Sequence, residues 1–431
     1  MFCQLEVLRH CFPPSVRLIL EELPESLDET YERILREIRK SNQGHAHRLL
    51  QCLVAAVRPL RVKELAEVLA FDFNAEGIPK LNVGWRWEDQ DEAVMSACSS
   101  LVMIVKDGDS RVVQFSHFSV KEYLTANRLA DPNTDVSRYH IQLGAAHTIL
   151  AQACLGALLR LDDRVDRNSI ENFPLARYAA QYWAAHSWFG NASSRIKDGM
   201  KDLFDADKPH FATWIWIFDQ DRYGRSMFTK FPEKPASVPL RYAAKLGFRD
   251  LAEHLIAKHS EHVNSRGRDK RTPMHIAAFA GHADVLLLLL DHGADVDGRD
   301  GNLHTPLHRA AEAGNLEAGQ CLIDRGADIN ARSNVNGSPL HCAATYKQVE
   351  FIRMLLECGA RTDVQTSSHG RSPLHDAVRV NCIEAVRLLL EHGADVNSQD
   401  FLGKTPSQIT KEQEIAELLS KYGTESVASV V

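Results

Sequence analysis

The sequence predicts a mostly α-helical protein: a first half of packed helices with one small hairpin, then a second half built as a solenoid of stacked repeats. Three observations carry this. Prolines at 239, 273, 306, 339, 373 and 406 are separated by 34, 33, 33, 34 and 33 residues. Before residue 235 the apolar residues recur mainly at helical spacing. Two strand-like runs, "LVMIV" and "RVVQF", flank "KDGDS", and a glycine between such runs is a hairpin signal.

From the N-terminus, "PSVRLILEEL" reads as a helix with one apolar face. "ESLDETYERILREIRK" opens with Ser26 and Glu29 in capping-box spacing and continues with Leu27, Tyr31, Ile34, Leu35 and Ile38 on one side. "HAHRLLQCLVAAV", "VKELAEVLA" and "DEAVMSACSS" are three further helices, followed by the hairpin and by a helix over "SVKEYLTANRL". Three helices, a hairpin and a helix over residues 44–130 are the order of a winged-helix-like domain. Winged helices often read DNA with the third helix. Here no Lys or Arg lies between Arg86 and Lys106, and Glu88, Asp89, Asp91 and Glu92 load the start of that helix. Carboxylates there repel phosphate, so no nucleic-acid partner is expected.

Residues 131–229 read as a helical linker domain. "YHIQLGAAHTILAQACLGALLRL" and "FPLARYAAQYWAAHSWF" have long apolar faces, and four of the six tryptophans fall in this region. Core packing accounts for them more simply than a ligand pocket. Residues 230–236, in "TKFPEKPASVP", are a linker.

The second half repeats itself. "TPMHIAAFAGHADVLLLLLDHGADVDGRD", "TPLHRAAEAGNLEAGQCLIDRGADINARS", "SPLHCAATYKQVEFIRMLLECGARTDVQT" and "SPLHDAVRVNCIEAVRLLLEHGADVNSQD" align residue for residue. Thr272, Thr305, Ser338 and Ser372 suit helix N-caps, and the proline after each suits the first helical position. Paired alanines let neighbouring helices approach, and Gly293, Gly326, Gly359 and Gly393 suit the left-handed residue past a second helix. Lys347 and Asn381 replace the glycine found at 281 and 314, and the strain on Lys347 predicts an irregular loop after Tyr346. The period and the T-P-L-H signature resemble the ankyrin repeat. The resemblance spans residues 237–423, about six units with atypical end units, before a disordered tail at 424–431. Within the array, "VLLLLLD" imitates a Walker B strand, but its register is that of a second helix. His275, His308, His341 and His375 recur once per unit, as structural residues do, so no metal is expected.

A second resemblance covers the first half. "LPESLDETYERIL", "RPLRVKELAEVLA" and "VQFSHFSVKEYL" are similar to the segment after the nucleotide-binding core in fungal NACHT–ankyrin proteins, STAND-class switch NTPases related to NLR receptors. The resemblance implies that residues 1–43 are a helical remnant following a nucleotide-binding domain. It also implies that Phe115, His117, Ser119, Glu122 and Tyr123 form the F-x-H-x-S-x-x-E-[FY] motif, whose histidine contacts the ADP β-phosphate. No G-x-x-x-x-G-K-[ST] occurs in the sequence. His117 therefore has two readings, a helix cap or a cofactor-binding residue acting only with a NACHT module in cis or trans. No cofactor is expected for this chain alone.

The totals agree with a soluble interaction protein. Net charge is −7, with −4 after Pro239, and the nine cysteines include no C-x-x-C pair. That pattern fits free thiols in a reducing compartment, cytoplasmic or nuclear. The apolar runs are too short for a membrane span. The expected function is a non-enzymatic protein–protein interaction module: the ankyrin scaffold or sensor of a STAND-type protein. A truncated signal-transducing NTPase lacking its NACHT domain is the alternative, and a DNA-binding regulator is the second. A protein partner is expected on the concave face. Its contacts would be the finger residues Arg266, Asp269, Asn302, Val335, Asn336, Ser368 and Phe401 and the first-helix residues Phe279, Glu312, Tyr346 and Arg379.

Overall fold

The computed structural model describes residues 26–74, 77–98, 100–108, 110–166, 168–189, 192–223, 238–335 and 337–428. The expected helix over "PSVRLILEEL", the linker at 230–236 and Asn336 lie outside these residues. The chain divides into two compact units, Met1–Lys234 and Pro235–Val431.

The first unit opens with α1 (Leu27–Glu37), capped by Ser26, whose hydroxyl accepts from the Glu29 N–H at 3.2 Å. Then come α2 (Gln43–Ala55), β1 (Leu60–Arg61), α3 (Val62–Leu69), the short pair β2 (Phe71–Asp72) and β3 (Lys80–Leu81), and α4 (Gln90–Cys98). The hairpin β4 (Val102–Asp107) and β5 (Ser110–Phe115) and α5 (Phe118–Thr125) complete the winged-helix order. The sheet runs β1-β5-β4, all antiparallel, with Leu60 opposite Val113 and Ile104 opposite Val113 on the other side. Two-residue strands carry no readable alternation, so β1 is visible only through its partner. The helix expected over "SVKEYLTANRL" is shorter than its pattern. It ends at Thr125, whose hydroxyl bonds back to the Lys121 carbonyl at 3.0 Å, and Ala126 turns extended before a 3-10 turn at Asn127–Ala130.

The helices α6 (Leu143–Leu158), α7 (Ala176–Ser187), α8 (Ala192–Leu203) and α9 (Pro209–Tyr223) belong to the same unit, with α2 packed on α6. Glu67 on α3 ties the two segments together. Its buried carboxylate accepts from Arg86 at 2.8 Å, Arg160 at 3.1 Å and the Leu175 N–H at 2.8 Å. The described residues of segments 44–130 and 131–229 therefore belong to one compact unit. Three of the four tryptophans beyond residue 131, Trp183, Trp214 and Trp216, are buried, with Trp183 edge-on to Trp214; Trp188 is exposed.

The second unit is a stack of helix pairs. First helices are α10 (Pro239–Leu246), α12 (Pro273–Ala280), α14 (Pro306–Ala313), α16 (Pro339–Thr345), α18 (Pro373–Arg379) and α20 (Pro406–Ile409). Second helices are α11 (Arg249–Lys258), α13 (Ala283–Asp291), α15 (Leu316–Asp324), α17 (Val349–Glu357), α19 (Ile383–Glu391) and α21 (Gln413–Ala428). The paired alanines at 277–278, 310–311 and 343–344 are fully buried, so successive first helices pack closely. Since α21 runs through Ala428, residues 424–428 are helical where a tail was expected. The loop after Tyr346 is regular, which corrects the expectation of irregularity. Lys347 takes φ 58° and Asn381 φ 52°, as Gly281 and Gly314 do at 83° and 74°. The Gln348 N–H reaches the Ala343 carbonyl at 2.9 Å, matching His282 to Ala277 at 3.0 Å. The strain stays within one residue.

Candidate binding surface

The cluster at the hairpin exit is a helix cap. His117 is extended (φ −150°), and its Nδ1 accepts from the Ser119 N–H at 3.3 Å. Because Nδ1 accepts, the Ser119 hydroxyl 2.6 Å away donates to it, and the Tyr31 hydroxyl donates to Ser119 at 2.7 Å. The neutral ring then carries its proton on Nε2. His117 itself is exposed, while Tyr31 and Tyr123 are buried with ring centroids 5.3 Å apart.

The recurring histidines are joints between units. His275 Nδ1 accepts from the Thr272 N–H at 3.2 Å and hydroxyl at 2.8 Å, so Nε2–H donates to the His304 carbonyl at 2.9 Å. The same pattern links His308 to Gly337 (3.0 Å), His341 to Arg371 (2.9 Å) and His375 to Lys404 (3.0 Å). Burial pushes His275 down to about 4 and His308 to about 3, and lowers His341. In the first unit Arg241 stands at this position and reaches the Asp269 carboxylate at 3.2 Å.

Each finger closes on itself, as in Asp300 N–H to His304 O (3.0 Å) and Ser333 N–H to Gly337 O (2.7 Å). Neighbouring fingers are then laced together. Arg299 donates to the Arg332 carbonyl at 2.7 Å, Arg332 to Gln365 at 2.7 Å and Gln365 to Gln399 at 3.0 Å. Asp300 is buried beneath, ion-paired with Arg309. Burial opposes its ionisation, but hydrogen bonds from His304 and Arg309 hold it well below the usual carboxylate range.

Against this frame the expected contact residues separate into two groups. Phe279 (48% exposed), Val335 (49%), Tyr346 (47%) and Phe401 (66%) present apolar surface. Arg266 is exposed and makes no hydrogen bond or ion pair among the described residues. Others are engaged within the stack. Asp269 holds Arg241 and, at 3.3 Å, Arg271; Glu312 holds Arg309 at 2.6 Å; Arg379 lies 3.4 Å from Asp376. Ser368 donates to the Val335 carbonyl at 3.3 Å, and Asn302 accepts through its carbonyl from the Asn334 N–H at 3.1 Å. Sequence reading missed Leu402, 79% exposed beside Phe401, and Leu303, 42% exposed. Adjacent apolar residues at a polar finger tip are the signal that could have found Leu402.

Among the described residues, His259, Glu261 and His262 bring three metal-type ligand atoms within 4.8 Å of one another. Glu261 is mostly exposed and sits 3.4 Å from His259 Nδ1. Ligation through Nδ1 would leave the His259 Nε2–H buried without an acceptor, whereas metal-bound imidazoles donate that proton to a partner. The contact of the Glu261 carboxylate with His259 Nδ1 across the 3-10 turn accounts for the group.

Residues 240–333 and 331–400 match the family described as "Ankyrin repeats (3 copies)". The second unit is an ankyrin-repeat solenoid. Ankyrin repeats make it a protein-interaction module. Residues 31–135 match "GPI inositol-deacylase, winged helix domain". The chain is 34% identical over 292 residues to "Azaphilone pigments biosynthesis cluster protein L" of Monascus ruber, covering 64% of this chain and 60% of that protein. It is 40% identical over 58 residues to "Ankyrin repeat domain-containing protein 49" of Bos taurus, covering 14% of this chain and 24% of that one. This chain therefore spans less than two thirds of the length of either relative. No helix among the described residues is long and apolar enough to cross a membrane.

Proposed function

We propose that this chain is the non-enzymatic interaction part of a STAND-type, NLR-like protein of the fungal NACHT–ankyrin class, acting in the cytoplasm or nucleus. The observation that carries the reading is the match of a winged-helix domain at 31–135 ahead of an ankyrin array at 240–400. The fingers of the array are laced to one another by Arg299, Arg332 and Gln365, and exposed aromatic side chains remain at first-helix and finger positions. Ankyrin partners would dock on the concave face through Phe279, Tyr346, Val335 and Phe401, with Arg266, Asn302 and Ser368 as polar contacts. Asp269, Glu312 and Arg379 would act mainly by holding neighbouring cations. An exposed imidazole whose Nε2 carries the proton would suit His117 to meet a phosphate held by a NACHT module in cis or trans.

The test compares the full chain with a Phe279→Ala, Tyr346→Ala, Phe401→Ala variant in proximity labelling and co-purification from its source cells. The variant should lose the proteins that the unaltered chain enriches while its thermal unfolding stays unchanged. Retention of the same set sinks the placement. Calorimetry of the chain with ADP and ATP should show no heat of binding, and a saturable signal would favour a nucleotide switch within this chain.

A further inference from the structure

The first finger differs from the later ones in charge. Residues 266–271 carry Arg266, Arg268, Lys270 and Arg271 against Asp269 alone, within a unit whose net charge after Pro239 is −4. Asp269 is already held by Arg241 and Arg271. Arg266, Arg268 and Lys270 are exposed, and their side chains make no hydrogen bond or ion pair among the described residues. Elsewhere the equivalent cations are consumed by the stack. Arg299 and Arg332, each 33 residues further along than the last, donate to the next finger's carbonyl at 2.7 Å. Lys245 is exposed on the first helix of the same unit, six residues after its opening proline, the position that Phe279 takes in the next.

We propose that this finger, through Arg266, Arg268 and Lys270, docks an acidic polypeptide segment of the partner. The inference rests on the interaction-module reading and names the chemistry of one end of its surface. Three free cations on one finger complement a short run of Asp and Glu. An extended polyanion would also meet the negative remainder of the solenoid, which disfavours nucleic acid. The neighbouring Phe279 would receive an apolar residue of the same segment.

The experiment uses the full chain and a fluorescein-labelled peptide alternating Asp and Glu around one Leu. Controls are its Asn/Gln counterpart and a single-stranded oligonucleotide of equal charge. The acidic peptide should bind, weaken as salt is raised, and lose about tenfold or more in affinity with Arg266→Glu, Arg268→Glu and Lys270→Glu together. A glutamine triple at the same positions should fall between, and it guards against a folding defect, which circular dichroism would reveal. Reversal of Arg353 and Arg387 on second helices should leave binding intact. No binding of the acidic peptide, equal loss in both reversal variants, or tighter binding of the oligonucleotide would each overturn the proposal. If the aromatic triple loses the native partner while the finger reversal keeps it, this inference fails and the interaction reading stands. If both keep it, the reading itself fails.

Discussion

The Nε2–H of His275 donates to the carbonyl of His304, 29 residues further along the chain and 2.9 Å away in space. One ring thus caps its own helix through Nδ1 and holds the next finger through Nε2. The four internal units, through His275, His308, His341 and His375, use both nitrogens in this way, one accepting and one donating.

That arrangement fixes a pH response. The folded values of His275 and His308, about 4 and about 3, lie below an unfolded value of about 6.5. The unfolded chain therefore takes up protons first as pH falls. The stability these rings support is complete above about pH 6.5 and is lost progressively toward pH 4 and below, with a slope of up to ~1.4 kcal/mol per pH unit for each ring. Urea unfolding at pH 7.5 and pH 5 measures it. His308→Gln keeps the cap, since Gln408 already accepts from the Thr405 N–H at 3.0 Å in the last unit. It should cost about 1 kcal/mol at pH 7.5 through the lost bond to Gly337 and flatten the pH dependence by one group. An unchanged slope would contradict the assignment.

Lys347 occupies a left-handed position that glycine fills in the three preceding units. Lys347→Gly should raise stability by about 1 kcal/mol, because removing the Cβ relieves the strain by more than glycine's added freedom in the unfolded chain. Differential scanning calorimetry reads this directly. A lower melting temperature would mean that the lysine's own contacts outweigh its backbone strain.

His117 caps α5 through a chain of hydroxyls ending at buried Tyr31. His117→Ala should destabilise the first unit by about 1 kcal/mol, and His117→Asn should restore most of that loss, since asparagine caps well. The rescue separates capping from any role of the ring. Equal stability of all three proteins would remove the structural account of the motif.

The two halves differ in how far their residues could be read alone. In the array, the N-cap at Thr272, the proline at 273 and the small residues at 277 and 278 act over one turn or one period, so spacing alone locates the helices and their stacking. In the first unit, β1 is two residues long and exists because Leu60 meets Val113. Glu67 looks like any helical glutamate until Arg86, Arg160 and the Leu175 amide converge on it. The candidate surface shows the same division. Phe401 and Tyr346 were found as departures from the repeat pattern. Asp269 could not be recognised as the partner of Arg241, because folding alone brings those residues, 28 positions apart, within 3.2 Å.

The sequence by itself therefore determined the number and register of the repeats, their caps and the helical class of the whole chain. These follow from interactions between residues three, four or about 33 positions apart. Only the tertiary structure decided which side chains are consumed in holding fingers and helices together and which are left for a partner. Hydrogen bonds and ion pairs saturate, and whether a given Arg or Asp is satisfied depends on groups that folding alone brings within 3 to 4 Å.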